Sequence, residues 1–209
     1  MGTEAVLLAT GPSLAEADVE RVRLARDRRP DLKVVAINDA YRLAPWAEVV
    51  YAADAAWWAH HAAEVRELPG ELWTQGVHAG LGPKPAKAFA SLKDRLNVVP
   101  SQRKDVPSFD PGVISQGGNS GFQAVNLAVL MGAVRVLLLG FDMGLGPDGE
   151  RHFFGKHPPG LHMDSPYPIF IRAFERAAPV YAQRGIVILN ASRRSALKCF
   201  RQVKLEAHL

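Results

Sequence analysis

Three histidines lie within one short segment of the sequence. His152, His157 and His162 belong to a glycine-, proline- and histidine-rich loop at 143–167. Histidine readily exchanges a proton near neutral pH, so we expect one of the three to act as a general base. His157 is the first choice, because the two prolines after it stiffen the loop, and His152 is the second. The same residues are also typical of a solvated loop.

Polar and small residues stand where three apolar runs end. They are Gly11, Pro12 and Ser13 after the run 5–10, Asn38 and Asp39 at the end of the run 33–38, and Asp54 after the run 49–53. In open parallel sheets the carboxyl ends of the strands line the ligand crevice, so we expect these residues to meet at one edge. The amide of Asn38 both donates and accepts, which suits a ribose or a base edge. Asn and Asp are also common turn formers.

The turn at 10–13 joins the first strand to the first helix. Gly11 permits a close backbone approach, the free N–H groups of the following helix suit a phosphate, and Ser13 is a possible helix cap. The GxGxxG fingerprint of dinucleotide-binding domains is absent from this turn. The same turn is also consistent with a plain strand-to-helix connection.

Small residues crowd the start of another predicted helix, at 115–121. Gly118, Asn119, Ser120 and Gly121 open it, and the unpaired N–H groups at such a start suit a diphosphate or a carboxylate. A flexible linker in which Asn119 or Ser120 caps the helix is the alternative. Asp142 follows the most apolar run, at 134–139, and is placed to hold a hydroxyl group or to orient a base.

Apolar runs alternate with helical patterns along the whole chain. Strands are predicted at 5–10, 33–38, 49–53, 71–75, 97–99, 134–139 and 186–189, and helices at 14–29, 55–66, 119–131 and 168–184. This alternation predicts an α/β fold, namely a single Rossmann-like domain over 1–209 whose mostly parallel sheet has helices on both faces. A loop-rich insertion is expected around 76–118. Trp57 and Trp58 are expected in the core, and His60 and His61 on the surface.

Composition narrows the class of protein. The chain has 209 residues and a net charge of +4, which permits an anionic partner without requiring one. The single cysteine, Cys199, forms no internal disulfide, so a cytoplasmic location is expected. No apolar stretch is long enough to predict a membrane span. No dense ligand pattern predicts a structural metal, and the spacing of His152 and His157 matches no recognised metal-ligand motif.

Several of these short motifs together resemble a known group of transferases. The segments 11–14, 38–39, 120–121 and 136–142, with the closing stretches near 190–197 and 205–206, look like the bacterial lipooligosaccharide sialyltransferases. The same skeleton is similar to flagellin-modification proteins and to 6-hydroxymethylpterin pyrophosphokinase-like proteins, and its compact form resembles phage and prophage proteins. The resemblance covers most of the chain but not 76–110.

This resemblance implies a metal-independent glycosyltransferase with a nucleotide-sugar donor of the CMP type and a histidine base. The nucleotide would contact Gly11, Ser13, Asn38, Ser120 and Gly121. The base would be one of the three loop histidines, and Tyr167 is the one candidate match for the tyrosines that hold the phosphate in that family. The acceptor stays open, and an oligomer is possible.

Two other functions remain open at this point. A pyrophosphokinase-like enzyme would transfer diphosphate and need Mg²⁺, for which Asp39, Asp54 and Asp142 are candidate ligands. A non-catalytic nucleotide-binding phage protein acting with DNA is the second. The densest basic stretch, 26–29, is more typical of a solvated helix end than of a DNA contact.

Overall fold

Nine parallel strands form one sheet in a computed structural model, which describes residues 2–76, 91–92, 94–161 and 165–209. The strands are β1 (Thr3–Leu8), β2 (Leu32–Ile37), β3 (Val49–Tyr51), β4 (Glu71–Gly76), β5 (Leu96–Gln102), β6 (Ile114–Ser115), β7 (Ala133–Leu139), β8 (Val187–Asn190) and β9 (Arg201–Gln202). Their order is β6-β5-β4-β3-β2-β1-β7-β8-β9, and each neighbouring pair is parallel. The predicted α/β Rossmann-like class is therefore confirmed.

Helices cover both faces of this sheet. They are α1 (Glu16–Arg28), α2 (Ala55–Arg66), α3 (Ser120–Leu130) and α4 (Tyr167–Gln183), with short 3₁₀ helices at Asn38–Arg42 and Leu205–Ala207. Alternate residues of β1 divide between the two faces, because Val6 and Leu8 share a core with α1 and α2, and Ala5 and Leu7 share one with α3 and α4. Burial on both faces explains why this strand is a continuous apolar run. In the described part of the chain, no helix is long and apolar enough to cross a membrane.

The order of the strands reverses beside β1. From β1 the chain moves outward through β2 to the edge strand β6, and α3 then carries it back to β7 on the other side of β1. The loops that follow β1 and β7 therefore leave the sheet next to each other. In open α/β sheets this reversal is the place where ligands bind, so it is the first place to look for a site.

Local sequence signals account for the starts of α3 and α4. The side chain of Asn119 accepts a hydrogen bond from the Phe122 N–H group at 2.8 Å, which is one of the two caps that the sequence allows. Pro168 occupies the first turn of α4, where a helix needs no N–H donor. Both observed helices begin within one residue of the predicted position.

The described residues of 76–118 contain more regular structure than the sequence indicates. Among its described residues, it contributes β5 and the two-residue strand β6 to the sheet. A strand of two residues carries no alternation of apolar and polar positions, so sequence periodicity does not reveal it. The same reason explains why β9 is not predicted.

The prediction that His61 lies on the surface is wrong, because its side chain is fully buried. His61 stands one helical turn after Trp57, so both residues belong to the buried face of α2. Its Nδ1 atom lies 3.0 Å from the hydroxyl of Tyr41. His60 is exposed as predicted, and Trp57 and Trp58 belong to the core as predicted.

Candidate functional site

The loops after β1 and β7 are joined by backbone hydrogen bonds. Ala9 N–H donates to the Leu139 carbonyl at 2.8 Å, and Gly11 N–H donates to the Gly140 carbonyl at 2.9 Å. A Cβ atom on Gly11 would lie 1.9 Å from Oδ2 of Asp142, a distance that no side chain tolerates. Glycine at position 11 is thus required for the two loops to approach each other.

A cavity of about 140 Å³ opens beside these two loops, and we call it the inner cavity. It brings together the predicted site residues Gly11, Asn38, Asn119, Ser120, Gly121, Asp142 and His152. Arg151 and Tyr167 also line it, and they add a cationic group and a phenol to the wall. The convergence of strand ends that the sequence predicts is therefore present at this edge of the sheet.

Asn38 carries backbone strain at the wall of the inner cavity. Its φ angle is +49°, in the left-handed region that asparagine tolerates better than most residues. Its Oδ1 atom is buried and accepts no hydrogen bond from the described residues. Met143, which follows β7 and lines the same cavity, also has a left-handed φ of +51°. Strained residues of this kind cluster at ligand sites, because selection retains them there despite their cost.

The start of α3 forms a second wall of the inner cavity. Asn119 satisfies the Phe122 N–H group, which leaves the N–H groups of Ser120 and Gly121 without a partner inside the helix. A Cβ atom on Gly121 would lie 3.0 Å from the ring of Phe141 and 3.1 Å from Oδ1 of Asn119. The Phe141 ring and the Asn119 side chain therefore pack tightly against this helix start, which presents backbone N–H donors at the positive end of the helix.

A second cavity of about 350 Å³ adjoins the inner cavity, and we call it the amide cavity. The two cavities share Asn38, Asn119, Ser120 and His152 in their walls. The amide cavity also contains three predicted site residues, namely Asp54, Gly118 and His157. The two cavities together form one continuous cleft along the carboxyl edge of the sheet.

Three glutamine side chains line the amide cavity, and hydrogen bonds fix each of them. Oγ of Ser101 lies 3.1 Å from Oε1 of Gln75 and 2.9 Å from the Gly76 carbonyl, so these two acceptors share its one proton. Nε2 of Gln116 donates to the same hydroxyl at 3.0 Å. Gln123 accepts from the Tyr51 hydroxyl at 2.5 Å and donates from Nε2 to the Gln116 carbonyl at 3.1 Å. An amide has two N–H donors and two lone pairs, so each side chain retains capacity for a ligand.

His152 is held between the two cavities. Its Nδ1 atom lies 3.1 Å from Oγ1 of Thr10, and its ring stacks on Phe154 with a centroid distance of 4.9 Å. Burial, together with the neighbouring His157, whose ring centroid is 4.5 Å away, lowers the pKa of His152 to about 4. His152 is therefore uncharged at neutral pH. The third predicted histidine, His162, lies outside the described residues.

Asp54 and His157 both line the amide cavity and interact electrostatically. Asp54 keeps an exposed surface, yet the protein around it desolvates its carboxyl group and raises its pKa. The nearby His157 has the opposite effect and lowers the pKa of Asp54. The amide cavity thus contains an acid and a histidine that are close enough to interact.

Asp142 separates the inner cavity from a neighbouring surface cavity of about 560 Å³. Its carboxylate accepts from the Ser13 N–H group at 3.4 Å, and burial raises its pKa, which the hydrogen bonds from Ser13 partly offset. Pro12 and Ser13 line the neighbouring cavity and not the inner one. Ser13 is not the cap of α1 either, because the helix begins after Ala15, which makes no side-chain cap.

Asp39 does not line either cavity of the cleft, although the sequence places it at a strand end. Its side chain is fully buried and accepts from Nε1 of Trp57 at 2.9 Å. Nε2 of His61 lies 3.7 Å from its other oxygen. The 3₁₀ helix that starts at Asn38 turns the next residue into the core, so Asp39 contacts the site through Trp57, which lines the amide cavity. Its charge also partly offsets the lowering of the His152 pKa.

The three candidate Mg²⁺ ligands are not brought together. Asp39 is buried beneath Trp57, Asp54 lies at the amide cavity, and Asp142 lies at the inner cavity. Within the described ranges there is no group of three or more His, Cys, Asp or Glu residues that could hold a metal ion.

Sequence reasoning misses several residues of this cleft. They are Phe170 and the three glutamines Gln75, Gln116 and Gln123. Gln75 stands near the end of β4, so the rule that identifies Asn38 and Asp54 at their strand ends also identifies Gln75. The other residues reach the cleft from loops and helices whose path the sequence does not reveal.

Comparison of the chain with protein-family models and with curated proteins finds no match.

Proposed function

We propose that the protein is a glycosyltransferase, which binds a nucleotide-activated sugar in this cleft and transfers the sugar to a hydroxyl group. The main support for the proposal is the position of three features of the cleft. The start of α3, the strained Asn38 and an uncharged histidine converge where the strand order reverses. This combination supplies a phosphate-binding surface and a proton acceptor in one cleft.

The inner cavity suits the phosphate of such a donor. The N–H groups of Ser120 and Gly121 stand at the positive end of α3, where an anion is favoured. Arg151 lines the same cavity and adds a positive charge. We assign the phosphate to this cavity and the sugar to the amide cavity.

His152 is the better candidate for the general base, in place of the sequence-based choice of His157. Contacts with Thr10 and Phe154 fix its ring, and a base must be held in position as well as present. Its pKa of about 4 makes it uncharged and able to accept a proton at neutral pH. A bound phosphate beside it would raise that pKa and strengthen the base.

The proposed reaction breaks the bond between the anomeric carbon and the phosphate oxygen. That oxygen keeps the electron pair, and the start of α3 stabilises the resulting charge. The acceptor hydroxyl oxygen forms the new bond to the anomeric carbon, while its proton passes to His152. The acceptor is a hydroxyl-bearing molecule, with a glycan as the first candidate and phage DNA as the second. We place the reaction in the cytoplasm, where Cys199 stays reduced.

Donor hydrolysis tests this function without knowledge of the acceptor, because water can replace the acceptor hydroxyl. The protein is incubated with CMP-, UDP- and GDP-sugars, and release of the nucleotide is measured with and without EDTA. We expect release from one donor class, at a rate that EDTA leaves unchanged.

Release that EDTA abolishes would favour a metal-dependent reaction. Binding of a nucleotide without any release would favour a nucleotide-binding module that has no catalytic activity. Binding to DNA that falls steeply as salt increases would support that module further.

A further inference from the structure

We infer that the sugar carried by the donor is uncharged and rich in hydroxyl groups, and not a carboxylated sugar. This inference rests on the proposed function and specifies its substrate class. It follows from the charges and the hydrogen-bonding groups of the amide cavity, which differ from those of the inner cavity.

The charge of the amide cavity disfavours an anionic sugar. Among the described residues in its wall, the titratable side chains are those of Asp54, His152 and His157. His152 is uncharged near neutral pH, since its pKa is about 4. Any charge on His157 is offset by the carboxylate of Asp54 beside it. A second carboxylate on the ligand would therefore lie near Asp54 without a cation of its own.

The polar groups of the amide cavity match hydroxyl groups. Among the described residues, Gln75, Gln116 and Gln123 each donate one hydrogen bond from an amide nitrogen that carries two N–H donors. An amide that both donates and accepts can bind a hydroxyl in either direction. The bonds to Ser101 and Tyr51 fix these amides before a ligand arrives, so little side-chain entropy is lost on binding.

The remaining walls suit the apolar face of a sugar ring. Trp57 and Phe170 line the cavity, and Asp39 holds the Trp57 indole through its Nε1 atom at 2.9 Å. A sugar ring has C–H groups on one face and hydroxyl groups at its edge, so it can cover an aromatic surface and contact amides at once.

A carboxylated sugar would place its charge in this cavity. The donor class that the sequence resemblance implies carries such a carboxylate, so the cavity points to a different sugar from the one in that family. In the inner cavity, by contrast, Arg151 and the start of α3 favour negative charge and offset the carboxylate of Asp142 in the same wall. The two cavities thus assign the phosphate and the neutral sugar to opposite parts of the cleft.

Donors that share a nucleotide and differ only in the sugar show how much the sugar contributes to binding. Calorimetry on the full chain compares UDP, UDP-glucose and UDP-glucuronic acid, then GDP, GDP-mannose and GDP-mannuronic acid, and finally CMP and CMP-sialic acid. We expect the neutral sugar to bind about tenfold tighter than its nucleotide alone, as a few additional hydrogen bonds allow. The carboxylated sugars should bind no tighter than the nucleotide.

Asp54→Asn provides the second arm of the test. Removal of this charge should increase the affinity for the carboxylated donor about 5- to 30-fold, the scale of one like-charge contact near a protein surface. The affinity for the free nucleotide should stay the same. Asp31→Asn, an exposed carboxylate in the turn before β2, is the matched control and should change nothing.

The outcomes distinguish the inference from the proposed function. If nucleotides bind but a carboxylated sugar binds tighter than its neutral partner, the inference is wrong and the proposed function stands. The inference is also wrong if Asp54→Asn changes the affinity for the free nucleotide as much as the affinity for the carboxylated donor, because the amide cavity would then hold the nucleobase. If none of the nucleotides or donors binds, the proposed function itself fails.

Discussion

The two cavities of the cleft are built in different ways. Backbone atoms and glycines form much of the inner cavity, where Gly11 and Gly121 allow close packing against Asp142 and Phe141. Side chains form most of the amide cavity, where Gln75 and Gln116 are joined through Ser101. A wall of backbone depends on the path of the fold, whereas a wall of side chains can change residue by residue. A backbone wall suits a chemical group that many ligands share, such as a phosphate. A side-chain wall suits the part of the ligand that distinguishes one substrate from another.

His152 stands at the junction of the two cavities, and its replacement should have the largest effect. His152→Gln keeps much of the side-chain volume and removes the proton acceptor, so donor release should fall about 10²–10⁴-fold. Affinity for the nucleotide should change little, which calorimetry checks. His60→Gln, an exposed change on α2, is the control. A near wild-type rate for His152→Gln would exclude it as the base, and the same assay on His157→Gln would then test the other histidine.

The inner cavity should tolerate almost no added volume. In Gly11→Ala the new Cβ atom meets the Asp142 carboxylate and the Gly140 carbonyl, so the two loops must separate. We expect a loss of about 1–3 kcal/mol in the free energy of unfolding, typical of overpacking, and loss of nucleotide binding. Chemical denaturation measures the first effect and calorimetry the second.

Gly112→Ala is the matched control for this change, since a Cβ atom there lies no closer than 3.4 Å to another atom and the backbone is not left-handed. Equal stability and binding in Gly11→Ala and Gly112→Ala would mean that the close approach of the loops is not required.

Asn38 lies in the walls of both cavities, and two substitutions separate its roles. Asn38→Gly relieves the left-handed strain at a φ of +49° and removes the amide, whereas Asn38→Ala removes the amide and keeps the strain. Both should weaken nucleotide binding about 3- to 12-fold, the effect of one hydrogen bond. Only Asn38→Ala should lower the melting temperature. Unchanged affinity in both variants would remove Asn38 from the site.

The low pKa of His152 predicts a modest loss of stability in acid. In the folded protein the pKa is about 4, whereas a histidine in the unfolded chain titrates near its ordinary value of 6.5. The unfolded state therefore binds more protons between these two values, and stability falls as pH decreases from about 6.5 to about 4. Melting curves at pH 7, 5.5 and 4.5 should show a smaller decrease for His152→Gln than for the wild type. Parallel curves for the two proteins would contradict this prediction.

Strong apolar runs explain which parts of the cleft the sequence predicts. The ends of β1, β2 and β3 are clear from their composition, so Gly11, Asn38 and Asp54 are placed correctly at the carboxyl edge of the sheet. The cap at Asn119 likewise has a local signal. The direction of a single side chain has no such signal, which is why Asp39 is expected in the cleft and instead lies in the core.

Long-range packing explains the rest. The environment of His152 depends on Thr10, which is 142 positions away in the sequence, so spacing within the loop favours His157 instead. Gln116 reaches the amide cavity beside β6, a strand too short for its alternation to be recognised. The division of the cleft into two cavities is thus a property of the tertiary structure alone.

Nucleotide binding is the central claim, and a thermal-shift panel tests it most directly. CMP, UDP, GDP and ATP are each added at increasing concentration to the wild type and to Asn38→Ala. A ligand at 100 times its Kd stabilises the folded state by about 2.7 kcal/mol, which raises the melting temperature of a chain of this size by roughly 5–10 °C. The account predicts such a shift for one nucleotide, with a smaller shift in Asn38→Ala at the same concentration. Identical melting temperatures with and without every nucleotide would contradict it.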